Sequence, residues 1–193
     1  MGNISSCTLE EAELVRLTAK SVFSQDEVKA LWLQFSGIVA SEAGISREKF
    51  QSAMMFKETA MLDRIFRVFD KDEDDMISFE EFIECLSVLS SKASQSDKLK
   101  LSFQIYDLDG DNMISVSDLT SALASTLREN DIIIERKEID DIVAHTMDEV
   151  CPDVTGKISL IEYEDLVAQR PQMLSRLNLN ISGIIREYAV GLE

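Results

Sequence analysis

Two stretches of the chain repeat one pattern: FRVFDKDEDDMISFEEF, residues 66–82, and IYDLDGDNMISVSDL, residues 105–119. In each, acids stand at alternate positions, an apolar residue follows, and another acid comes at the twelfth position. Apolar residues at helical spacing flank both runs. The bland reading of such a run is a solvated acidic turn, against which ligand spacing, Ile77 and Glu81 all speak in the first repeat. The run reads as a tight loop between two helices, and its occurrence twice makes helix–loop–helix the unit of the fold.

The spacing has a chemical reading. A calcium ion takes about six to eight hard oxygens, and alternate residues of a tight loop point inward while the twelfth, already in the next helix, closes the cage with two more. In the first repeat Asp70, Asp72 and Asp74 stand at positions 1, 3 and 5, Met76 offers its carbonyl at 7, Ser78 stands at 9 and Glu81 at 12. The second supplies Asp107, Asp109, Asp111, Met113, Ser115 and Asp118 at the same positions. This is the EF-hand ligand pattern, so two Ca²⁺ sites are expected. Asp118 is one methylene shorter than the usual Glu, which favours one oxygen over two and hence Mg²⁺ or weaker Ca²⁺ in that loop. At position 6 the sharp turn wants glycine; Asp75 and Asn112 stand there instead and must take positive φ at some conformational cost.

Ile77 and Ile114, at position 8, predict a short strand that pairs with a neighbouring loop, so each intact hand needs a partner. Upstream, Phe35 and Phe50 flank 14 residues where the intact units have 12, Ile45 falls at the strand position, and Lys49 stands where the closing acid belongs. A cation there cannot close a cage. Downstream, CPDVTGKISLIEY keeps Gly156, Ile158 and Glu162 but puts Cys151 at position 1 and Thr155 at 5. The expected fold is all-α: four EF-hands in two paired lobes, two of them degenerate, with an N-terminal helix and a C-terminal helical tail. The segments are 1–23 for the N-terminal acylation segment and helix, 24–89 for the N-lobe, 90–96 for a polar linker, 97–170 for the C-lobe and 171–193 for the tail. Thr8 with Glu11, and Ser24 with Glu27, read as capping boxes opening the first two helices.

The formal charge of −17 argues against a phosphate-facing surface and hence against nucleic acid. Cys7, Cys85 and Cys151 are an odd, scattered set without a C-x-x-C pair, which points to a reducing, cytoplasmic setting. No apolar run approaches the roughly 18–20 residues that a spanning helix needs. His145 is the one histidine, and no nucleophile, phosphate loop or carboxylate pair stands apart from the metal loops, so no catalysis is expected.

Trp32, Phe35, Phe50, Met54, Met55, Phe66 and Phe82 fall at helical spacing around the N-lobe hands. They read as core, and as a groove for a partner helix once a hand opens. Leu174, Leu177, Leu179, Ile181, Ile184 and Ile185 in the tail serve either as a docked helix or as an interaction helix. MGNISS matches the N-myristoylation pattern, with Gly2 as acceptor and Ser6 at the position read by the transferase. One acyl chain binds membranes only marginally, and Cys7 is a candidate for a second, palmitoyl, signal or a free thiol. Peripheral membrane attachment is expected if Gly2 is acylated.

With these loops, the degenerate first hand, MGNISS and the segment after Pro171, the chain resembles the calcineurin B, calcineurin B-like and neuronal calcium sensor superfamily. The run from Leu62 to Ser115 carries most of the likeness. The resemblance implies a non-catalytic regulatory subunit that holds an amphipathic helix of a kinase, phosphatase or ion transporter in a hydrophobic groove. A Ca²⁺/Mg²⁺ buffer and a ciliary, dynein-associated structural protein are the alternatives.

Overall fold

Local capping chemistry sets most helix starts in the computed structural model, which describes residues 9–39, 42–57, 59–150 and 156–170. The first helix, α1, spans Glu11–Lys20 and has Glu10 at its N-cap without a side-chain bond. It therefore starts two residues later than a Thr8–Glu11 box requires, which places Glu11 in the first helical position; Thr8 itself lies outside the described residues. Glu11 and Glu13 in the first turn suit the positive end of the helix dipole instead. Helix α2, Gln25–Val39, opens as expected: Ser24 N–H donates to Glu27 Oε2 at 2.7 Å and Glu27 N–H to Ser24 Oγ at 3.3 Å.

The remaining elements alternate in the same way. Strand β1 (Ile45–Ser46) leads into α3 (Arg47–Met54); α4 (Ala60–Phe69), β2 (Met76–Ile77) and α5 (Phe79–Leu89) follow. Then come α6 (Gln95–Tyr106), β3 (Ile114–Ser115), α7 (Val116–Glu129), α8 (Arg136–Val150), β4 (Lys157–Ile158) and α9 (Leu160–Gln169). The all-α reading holds, with two-residue strands as its only sheet among the described residues. These pair antiparallel, Ile45 with Ile77 and Ile114 with Ile158, as the apolar position-8 residues require. Gly44 sits where β1 crosses β2: a Cβ there would lie 2.7 Å from the Ile77 carbonyl oxygen, so only glycine permits this approach.

Two apolar cores result. The larger joins α1 to α5 through residues such as Leu14, Leu31, Phe50, Leu62 and Ile83, and it also takes Leu101 and Ile105 from α6. The smaller gathers Phe103, Ile114, Val143, Ile158 and Tyr163, with Ser102 and Tyr163 hydrogen-bonded through their hydroxyls. Helix α6 thus presents residues to both cores. Its N-cap is Ser94, so the polar connection from α5 runs only from 90 to 94, too short to hold the lobes apart. Helix α4 packs on both α6 and α7. Across this contact the Lys57 amide donates to the Glu129 carboxylate at 3.0 and 3.1 Å, and Lys57 Nζ reaches Arg128 O and Asp131 Oδ1, each at 2.7 Å.

Candidate metal centres

Each acidic loop is built from a helix end and a helix start. Asp70 is the C-cap of α4, and Ser78 and Glu81 are the N-cap and N3 residues of α5, joined in a reciprocal capping box. Asp107, Ser115 and Asp118 hold the same places at the end of α6 and the start of α7. Positions 9 and 12 therefore serve the helix as caps while facing the loop. Asp75 and Asn112 lie at φ 65° and 64°, the positive values that position 6 demands.

The carboxylates converge. Ligand oxygens of Asp70, Asp72 and Asp74 lie within 4.8 Å of one another, and so do those of Asp107, Asp109 and Asp111. Backbone amides wrap the first carboxylate of each loop: Asp70 Oδ2 accepts from Asp75 N–H at 3.0 Å, and Asp107 Oδ2 from Asn112 N–H at 3.0 Å. Burial pushes both Asp70 and Asp107 above the usual carboxylate range, and like charges nearby, Glu81 and Asp74 for the first and Asp109 for the second, push the same way. Three converging carboxylates, the first of them buried and the other two exposed, are an all-oxygen donor set whose like charges a divalent cation offsets, so each cluster fits a hard cation such as Ca²⁺.

The closing residues differ in reach. Glu81 Oε1 crosses the loop to accept from the amides of Lys71 at 2.8 Å and Asp72 at 3.3 Å, while Oε2 accepts from Ser78. Burial pushes the Glu81 carboxyl up, but the Ser78 hydroxyl and these amides outweigh it and hold the group below its usual value. Asp118 Oδ2 accepts from the Ser115 amide at 2.8 Å and hydroxyl at 2.5 Å, and among the described residues no such bond takes the shorter side chain across to the start of its loop. Asp118→Glu, whose longer arm can bring a second oxygen to the ion, is accordingly expected to raise Ca²⁺ affinity in the third hand and its preference over Mg²⁺, by about tenfold, or about 1.4 kcal/mol. Competitive titration of the two ions checks this.

The third loop also meets two cations that motif reading did not single out. Lys157 Nζ, from β4, lies 2.5 Å from Asp111 Oδ2 and holds that carboxyl below its usual value. The guanidinium of Arg64, from α4, lies 3.8 Å from Asp107 Oδ2. Lys157 was within reach of sequence reasoning, since the Ile114–Ile158 pairing brings it opposite Ser115. Arg64 was not, because it arrives from the other lobe.

In the first hand Lys49 turns its ammonium to Val39 O at 2.7 Å and to Glu42 Oε1 at 2.9 Å. Its side chain ties the loop to the end of α2. In the fourth, Gly156 has φ 62° and Glu162 caps α9 through Ser159, while Cys151 to Thr155 lie outside the described residues. So do Gly2, Cys7 and the tail from 171. Of the groove candidates, Phe35, Phe50, Met54, Phe66 and Phe82 are buried and Trp32 half-buried. Met55 is 77% exposed, in a left-handed turn that ends α3. Cys85 is buried too, and burial pushes its thiol up to about 12, so it is an apolar packing group.

Comparison with known proteins agrees with this geometry. Residues 61–89 match the family model described as EF hand domain, and residues 99–123 one described as EF hand. The chain is 35% identical to the calcineurin B protein of Schizosaccharomyces pombe over 79% of its own length and 86% of that protein. It is 32% identical to the type 2 calcineurin B protein of Dictyostelium discoideum, covering 84% and 86% of the two chains. To calcineurin B-like protein 5 of Arabidopsis thaliana it is 27% identical over 93% of each. With paired loops, convergent carboxylates and this extent of likeness, the chain belongs to the calcineurin B and calcineurin B-like family of EF-hand proteins.

Proposed function

We propose that the chain is a calcium sensor and non-catalytic regulatory subunit, whose N-lobe takes an amphipathic helix of a target protein such as a kinase, phosphatase or ion transporter. The observation that carries this reading is the double position of Glu81. It closes the second loop and is also the N3 residue of α5, the helix that bears Phe79 and Phe82. Those rings pack against Phe35 at 5.2 and 5.6 Å, and Phe79 packs edge-on to Trp32 at 4.8 Å. A change in the Glu81 carboxylate is thus transmitted directly to the helix that covers the aromatic face. When bound, Ca²⁺ supplies the positive charge that draws the carboxylates together. The relatives named as subunits of calcineurin support the regulatory part of the reading.

A dye that fluoresces on apolar surface tests it. Signal should rise when Ca²⁺ replaces Mg²⁺ in the full chain, because a sensor opens and a buffer barely does. An unchanged signal would favour the buffer. Retention of proteins from a cell extract only in Ca²⁺ would then identify the target, and a dynein-associated partner would favour the ciliary alternative.

The motif in residues 1–6 supports acylation of Gly2 as the route to a membrane surface. Among the described residues no helix is long and apolar enough to cross a membrane. Gly2→Ala is expected to remove most of the membrane-bound fraction, and Cys7→Ser to weaken attachment while sparing myristate. Persistence of Gly2→Ala at membranes on fractionation would assign attachment to a bound partner.

A further inference from the structure

The third loop carries a charge that comes from the other lobe. Arg64 belongs to α4, yet its Nε donates to Gln104 O at 2.6 Å near the end of α6, and its guanidinium lies 3.8 Å from Asp107 Oδ2. Both side chains are well shielded, 15% and 3% exposed. The guanidinium also covers Gly110, where a Cβ would lie 3.2 Å from Arg64 Nη1. In the second loop the corresponding Asp70 faces Glu81 and Asp74, which are like charges, and among the described residues it forms no ion pair.

We propose that Arg64 tunes the third loop, lowering its affinity for a divalent cation and coupling its occupancy to the docking of α4 on α6. The proposal rests on the reading of that loop as a metal site. Asp107 is costly to bury as an unpaired anion, and a guanidinium or a divalent ion offsets that cost. The two compete for the same charge, and each repels the other. Reciprocity then requires that whatever the Arg64 contact contributes to the docked lobes in the absence of the ion is subtracted from ion binding. The Lys157–Asp111 pair is 43% and 37% exposed, on a solvated rim where an ion pair is worth little. Arg64 is the better shielded cation and so the one expected to dominate.

The test uses the full chain carrying Glu81→Gln, so that calcium heats report the third loop. Added Arg64→Met, similar in length but uncharged, should tighten Ca²⁺ binding by about tenfold, the scale of one nearby charge acting on a divalent ion in a partly screened setting. The same change should lower the melting temperature in chelator, and Arg64→Lys should fall between the two. Should Arg64→Met fail to fold, Arg64→Gln, which keeps a donor for Gln104, answers the same question. Equal or weaker binding without the charge would overturn the proposal and make Arg64 a packing residue. A single calcium event in the unmutated chain that disappears in Glu81→Gln would overturn the metal reading of the third loop and this proposal with it; heat indifferent to Arg64 overturns the proposal alone.

Discussion

Glu81→Gln is expected to weaken calcium binding at the second hand by at least about a hundredfold, because it removes the charge and one of the two strong oxygens that close the cage. The substitution is informative because it should leave the fold alone. Glutamine at N3 satisfies the same capping box as glutamate, so the start of α5 keeps its bond with Ser78. Its carbonyl oxygen takes the place of Glu81 Oε2 at Ser78, so the amide NH₂ replaces Oε1 and only the two bonds from the Lys71 and Asp72 amides at the loop are given up. Titration calorimetry should therefore lose the tighter of two binding events, while the melting temperature in chelator stays within a few degrees. Loss of both events would mean that the third loop binds only when the second is filled. Survival of both would mean that Asp70, Asp72 and Asp74 suffice to hold the ion.

Phe50→Ala should lower the stability of the N-lobe by about 3–5 kcal/mol, the range for truncating a buried phenylalanine. Phe50 is 1% exposed and meets Phe69, Phe66 and Phe56 at ring distances of 5.2, 5.8 and 6.2 Å. Its ring joins α3 to α4. The loss approaches the whole stability of a typical domain, about 5–15 kcal/mol, so urea unfolding should show a much lower midpoint. Met55, five residues on and 77% exposed, is the control: Met55→Ala should change stability by less than about 0.5 kcal/mol. The contrast separates two residues that sequence periodicity groups together. A small effect of Phe50→Ala would mean that the aromatic cluster repacks, as a surface that opens to a partner would need to do.

Much was legible in the sequence for a local reason. Chelating loops place every ligand within twelve residues, so their chemistry is written in spacing: Asp70, Asp72 and Asp74 come together, as do Asp107, Asp109 and Asp111, and Glu81 and Asp118 cap the helices that follow. The positive φ at Asp75 and Asn112 and the pairing of Ile77 with Ile45 also follow from position within the loop, because one sharp turn and one exposed strand edge admit few solutions. The start of α1 was not legible. A box at Thr8 and a plain N-cap at Glu10 differ by a small local preference, which does not decide a helix start on its own.

What only the tertiary structure decided concerns residues that meet across distance. Periodicity marks Trp32, Phe35, Phe50, Met54, Met55, Phe66 and Phe82 as apolar surface of helices, but burial depends on what packs against them, and Met55 ends exposed while Phe50 is sealed. Sequence spacing suggested a short polar linker at 90–96; that α6 serves both cores and that Lys57 and Arg64 reach α7 and the loop after α6 could not be read from it. Charge on the third loop is likewise a sum over both lobes, with Arg64 arriving from 43 residues upstream of Asp107. Ligand identity is a local property of the chain, whereas the electrostatic setting of a ligand and the burial of an apolar face depend on every element that folds back onto it.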